Sequence, residues 1–209
     1  MLRLASIPKI AALLKVVWLT GCEKPPQVEM DAAKAAVENA RNAEAEKYAT
    51  PAFKALQDSL ASGLAAVQTQ DQRFALLRDY AAAKATLVGV SSKAPEVIQS
   101  ARVTKEKIRK ATTEAVEKAK AAIDTTVAMV ARAPRGKESK DMIAGWETQI
   151  AGMQPQLAEA QSALASENFA AAQKTADMIS QQAATLQQEV GGVITKYEEL
   201  KAKARGRRR

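Results

Sequence analysis

The chain has 209 residues, 31 Lys and Arg against 23 Asp and Glu, and a formal net charge of +8. It contains no His and one Cys, which excludes an intrachain disulfide, a Cys/His zinc site and a Ser-His or Cys-His catalytic pair. Alanine dominates, glycine, proline and aromatics are scarce, and β-branched runs are nearly absent; this composition predicts an all-α fold. Alanine side chains bury little area each, so the expected core is thin and long. The expected architecture is an elongated antiparallel coiled-coil-like helical bundle. The charge is uneven. Arg3, Lys9 and Lys15 precede Cys22, and Lys201, Lys203, Arg205, Arg207, Arg208 and Arg209 close the chain, so the body between is nearly neutral.

Arg3 and Lys9 form a positive n-region. Ile10 to Leu19 is an apolar stretch too short to span a bilayer, and small residues and Cys22 follow it. Lys15 interrupts that stretch. Leu19-Thr20-Gly21-Cys22 resembles the lipobox of bacterial lipoproteins at all four positions. The resemblance implies a signal peptide over 1–21, a diacylglyceryl group on the Cys22 sulfur, cleavage before Cys22, and stable anchoring by more than one acyl chain. Glu23, where inner-membrane lipoproteins of enteric type carry Asp, implies the periplasmic face of the outer membrane. The competing reading is a buried free Cys after an amphipathic helix. Residues 22–27, with Pro25 and Pro26, are expected to form a short extended tether.

An alanine-rich helix is expected over 28–48. Thr50 and Pro51 then suit a cap and a first helical position. Phe53, Leu56, Leu60, Leu64 and Val67 repeat at 3-4 spacing on the next helix, and Gln68 to Asp71 is the expected turn. A long helix follows, with a seam of Tyr80, Ala83, Leu87, Val90, Ala94, Val97, Ala101, Thr104, Ile108, Ala111 and Ala115. The strict heptad implies a left-handed supercoil. The seam then drifts to Val116, Ala119, Ile123, Val127 and Val130. Its register passes through Pro95 without a slip, which predicts a kinked helix rather than two. Ala133-Pro134-Arg135-Gly136 ends that helix and is the best internal boundary.

Beyond it, Ile143, Trp146, Ile150, Met153, Leu157, Ala160 and Leu164 form one seam. Phe169, Ala172, Ala176, Ile179, Ala183, Leu186, Val190, Val193, Tyr197 and Leu200 form another. The short turn Ser166-Glu167-Asn168 between them predicts an antiparallel helical hairpin, with Gly191-Gly192 a weak point in its second helix. The chain thus divides into a helical unit over 28–131, a hairpin over 137–204 and a basic tail over 205–209, two hairpin units in all. Arg78 to Lys84 also matches Glu167 to Gln173, each with an aromatic three residues before Ala and just after a turn. Ala40-Arg41, Ala43, Ala45 and Tyr48-Ala49-Thr50-Pro51, with Arg78-Asp79-Tyr80 and Ala83 downstream, resemble an alanine-rich helical domain of uncharacterised bacterial lipoproteins over about residues 30–95. That family implies no activity.

No pattern supports catalysis or a cofactor. Carboxylate pairs such as Glu44/Glu46 and Glu198/Glu199 suit solvated helix faces, and Trp146 lies in a seam rather than a ligand pocket. The basic residues Lys201, Lys203, Arg205, Arg207, Arg208 and Arg209 are the strongest interaction signal. The first reading is a non-enzymatic, lipid-anchored cell-envelope protein serving as spacer, scaffold or assembly factor. Its tail would meet anionic headgroups or envelope polymers, and its seams would permit self-association. The alternative is a cytoplasmic, histone-like nucleic-acid binder using the same tail; the near-neutral body counts against nucleic acid.

Overall fold

The structure, a computed structural model, describes residues 24–136 and 139–207. Among them the fold is all-α. It comprises α1 (Gln27–Asn42), α2 (Ala45–Tyr48), α3 (Thr50–Asp71), α4 (Ala81–Ala131), α5 (Lys140–Ala165) and α6 (Phe169–Gly206), with a 3-10 turn at Ala75–Leu77. Two compact units divide between Gln99 and Ser100, inside α4.

In the first unit, α1 buries Ala33, Val37 and Ala40, one stripe at i, i+4 and i+7. The helix expected over 28–48 is broken, because Glu44 adopts a left-handed conformation with φ 57°. That conformation ends a helix and is usually glycine's, so the sequence carried no mark of it. Thr50 does not cap α3. Its hydroxyl donates to the Glu46 carbonyl at 2.7 Å, while Pro51 sits in the first turn, where its missing N–H costs nothing. α3 packs on α1 and buries Phe53, Leu56, Gly63 and Val67. Gly63, not Leu64, faces the core, since α3 lies too close to Leu87 for a larger residue. Helix α3 also runs through the expected turn at Gln68–Asp71, and the chain reverses over 72–80 instead.

Helix α4 is continuous through Pro95. Tyr80, Ala83, Leu87, Val90, Ala94, Val97 and Ala101 are buried, as the seam requires. The seam then leaves the core. Thr104 is half-buried, Ala111 is exposed and Ile108 is 38% exposed. An α-helix drifts about 20° per heptad from a strict seven-residue repeat, and Glu106, Lys107, Arg109 and Lys110 are exposed together with Ile108.

Burial resumes in the second unit at Thr112, Val116, Ala119, Ile123, Thr126 and Val130. Thr126 takes the core position expected for Val127, which is exposed. The Thr126 hydroxyl donates to the Ala122 carbonyl at 2.7 Å. The Gln187 amide of α6 donates to that hydroxyl and to the same carbonyl, each at 3.0 Å. A polar bond across the helices thus fixes the register a valine would leave free.

Helices α5 and α6 pack on each other across a three-residue turn. Glu167 turns left-handed there (φ 58°), the Asn168 N–H donates to the Ala163 carbonyl at 2.8 Å and the Glu167 N–H to the Leu164 carbonyl at 3.1 Å. This is a Schellman closure with Glu in the usual glycine position. Lys105 of α4 pairs with the Glu167 carboxylate at 2.7 Å. The buried cluster joins Val116, Ala119, Ile123 and Val130 of α4 to the α5 seam and to Ala176, Ile179, Ala183, Leu186 and Val190 of α6. Tyr197 and Leu200, expected in the α6 seam, are exposed, because α6 outruns α5 by twelve residues' length. Gly191-Gly192 stays inside the helix.

Candidate functional site

Leu19, Thr20, Gly21 and Cys22, with the expected signal peptide, lie outside the described residues. The structure begins at Lys24 and shows where the chain enters the fold. Pro25 and Pro26 stay outside the helix, their carbonyls accept from the Gln27 and Met30 N–H groups at 2.8 and 3.0 Å, and α1 starts at Gln27. Glu29, in the first turn of α1, pairs with Lys84, in the first turn of α4, at 2.8 Å. The start of α1 therefore lies at the same end of its unit as the connection from α3 to α4.

That connection is tightly held. The Arg78 guanidinium donates to the Arg73 carbonyl at 3.1 Å and to the Asp71 carbonyl at 2.8 Å. The Asp79 N–H donates to the Gln70 side-chain oxygen at 3.1 Å, and the Asp79 carboxylate accepts from the Ala81 N–H at 2.9 Å. The Leu77 N–H closes on the Phe74 carbonyl at 2.8 Å, and the buried Tyr80 donates its hydroxyl to Asp71. The Asp71 bond, then burial, push the Tyr80 hydroxyl above its ordinary pKa. Yet the loop so fixed holds Phe74, Leu76 and Leu77 in water, at 70, 74 and 69% exposure. Sequence reasoning missed this feature. Its signal was three bulky apolar residues within four positions, on no helical seam.

The Lys84 ammonium, through its hydrogen bond, holds the Glu29 carboxyl below the usual carboxylate range. A lowered folded pKa means that the pair stabilises above the unfolded carboxylate pKa and that its contribution is lost as pH falls through the folded value. Glu29→Gln should therefore lower the melting temperature near neutral pH, and the gap to the parent should close below about pH 4, near the reference carboxylate value. Melting curves across that range check the sign.

The basic tail is largely helix. Lys201, Lys203 and Arg205 are exposed on α6, Arg207 follows it, and Arg208 and Arg209 lie outside the described residues. Lys201 sits 3.9 Å from the Glu198 carboxylate and 5.9 Å from the centre of the Tyr197 ring. Lys203 and Arg205 occupy the last turn, where cations complement the helix dipole. The charges are thus spread around a helix end rather than gathered into one site. Trp146 is buried in the second unit's core. An open groove of ≈ 580 Å³ runs between α3 and α4, lined by small and apolar residues such as Ala52, Leu56, Gly89 and Val97, with Lys93 and Glu96 beside them. Among the described residues no group of His, Cys, Asp and Glu could hold a metal ion, and no helix is long and apolar enough to cross a membrane. No family model, curated protein or solved structure matches the chain.

Proposed function

We propose that the chain is a non-enzymatic, lipid-anchored cell-envelope protein, held on the periplasmic face of the outer membrane by acylation of Cys22. The observation that carries this reading is Leu19-Thr20-Gly21-Cys22, the chain's lone thiol at the place where a lipobox requires it. Pro25 and Pro26, outside α1, which starts at Gln27, support it as part of a short tether ahead of the fold. In this reading the seams of α3 to α6 make an elongated, antiparallel coiled-coil-like bundle of two hairpin units. The bundle acts as a spacer, scaffold or assembly factor, and Lys201, Lys203, Arg205 and the arginines beyond meet anionic headgroups or envelope polymers.

Cys22→Ala is expected to abolish acyl labelling and to move the protein from the membrane to the soluble fraction. Mass spectrometry of the mature N-terminal peptide of the unsubstituted chain decides the matter: acylated Cys22 is the expected result, and an unmodified N-terminus overturns the reading.

A further inference from the structure

We propose that the Phe74–Leu77 loop is a membrane-insertion element, a second contact with the lipid surface beside the anchor. The choice of a lipid surface as the occupant rests on the lipid-anchored reading; the loop itself is an independent observation.

Three features carry the proposal. The first is a contradiction within the loop. Six hydrogen bonds around residues 70–81 fix its backbone, and the conformation they fix displays one aromatic and two leucine side chains to water. A contiguous, preorganised apolar patch marks an interaction site. The second is its place. The Glu29–Lys84 pair sets the loop at the end of the unit where the N-terminal chain enters, and Val28, at that same end, is 78% exposed. Four residues separate Cys22 from Gln27, a span of at most about 18 Å over five Cα–Cα steps. A lipid on Cys22 would hold this end, and no other part of the unit, against the bilayer surface. The third is the rim, which is polar and of mixed charge: Arg73 and Lys24 are exposed there, beside the exposed carboxylates of Asp71 and Asp79, which accept from the Tyr80 hydroxyl and the Ala81 N–H. Apolar side chains within a charged rim suit a headgroup interface, with the ring and the leucines below the headgroups and the charged side chains at their level.

The test uses the mature chain of the lipid-anchored reading, residues 22–209, with Cys22→Ser, so that Leu76→Cys supplies the sole thiol for an environment-sensitive nitrobenzoxadiazole label. A histidine tag placed directly before position 22 tethers it through nickel-chelating lipid to vesicles of equal parts phosphatidylcholine and phosphatidylglycerol, replacing the natural anchor. The label at 76 should brighten several-fold, shift to the blue and be quenched by acyl-chain-brominated lipid. A label on Lys54→Cys, exposed near the start of α3, should do none of these. Phe74→Ser with Leu77→Ser, both at exposed positions, should abolish the change at 76. A label at 76 that stays in water on tethered protein overturns the proposal. So does a change at 76 that rises with protein concentration without vesicles, which would assign the patch to a second copy of the chain. Acylated Cys22 with a water-exposed loop overturns only this inference; a lipid-inserted loop with unmodified Cys22 overturns only the anchor.

Discussion

Trp146→Ala is expected to lower the unfolding free energy by about 3–5 kcal/mol, the range for truncating a large buried aromatic. Trp146 is 4% exposed and shares one buried cluster with residues of α4, α5 and α6. That cluster is rich in alanine: Ala119, Ala133, Ala160, Ala176 and Ala183 all belong to it. Alanines cannot extend into a void, so the space left by the indole would stay largely empty, and the cost should fall in the upper part of the range. Trp146→Phe, which keeps a ring in place, should recover more than half of the loss. Leu200→Ala, on the exposed end of α6, should change stability by less than about 0.5 kcal/mol. Urea denaturation followed by far-UV circular dichroism compares the three. A loss below about 1 kcal/mol, the level of an ordinary surface or half-buried change, would mean that the indole is not packed.

The helical class and the whole α5 seam were legible because large residues at 3-4 spacing stand out wherever they occur. Ile143, Trp146, Ile150, Met153 and Ala160 are all buried, and Leu157 and Leu164 are partly so. The misses have separate physical causes. Alanine on every face of residues 28–48 hid the break at Glu44, and the left-handed residue that makes it is not glycine. Ile108 continued the written heptad of α4 but not the buried face, because sequence spacing records no accumulated drift. Thr126 displaced Val127 through a hydrogen bond from Gln187, sixty-one residues away and beyond the reach of any local pattern. At the candidate site, the basic end of α6 was visible and the apolar loop was not. Charge runs announce themselves in a sequence, whereas Phe74, Leu76 and Leu77 become notable only once they are seen outside the core.

The short repeat at Tyr80 and Phe169 extends much further in space than in sequence. Tyr80, Ala83, Leu87, Val90, Ala94, Val97 and Ala101 are buried at the same steps as Phe169, Ala172, Ala176, Ile179, Ala183, Leu186 and Val190. The preceding helices agree: Phe53, Leu56, Leu60, Gly63 and Val67 follow the spacing of Ile150, Met153, Leu157, Ala160 and Leu164. In this alignment the smallest residue of each inward face, Gly63 or Ala160, falls at the same step. The two units share one construction, an aromatic at a helix start and a small residue on the preceding helix. They differ in how the bulk is divided: the first unit sets Gly63 against Leu87, and the corresponding positions of the second are both alanine, Ala160 and Ala176.

That uneven division at Gly63 and Leu87 predicts a change of sign. A Cβ at position 63 would lie 2.9 Å from Leu87 Cδ2, 3.1 Å from its Cγ and 3.4 Å from Thr86 Cγ2. Leu87 is fully buried, so it has no solvent into which to retreat. Gly63→Ala gains about 1 kcal/mol of helix propensity and meets an overpacking cost of about 1–3 kcal/mol, so it should destabilise on balance. Gly63→Val enlarges the clash and forgoes the propensity gain, and should cost more. Leu87→Ala alone should cost about 2–5 kcal/mol through the cavity it leaves. In that background the obstruction at position 63 is gone, the new methyl group fills part of the void, and Gly63→Ala should stabilise by about 1 kcal/mol or more. Gly145→Ala and Gly152→Ala, where an added Cβ meets nothing within 4 Å, give the propensity gain without any neighbour. A double-mutant cycle by urea denaturation reads the coupling directly. If Gly63→Ala has the same sign with and without Leu87, the close approach of α3 to α4 is not what keeps glycine at position 63.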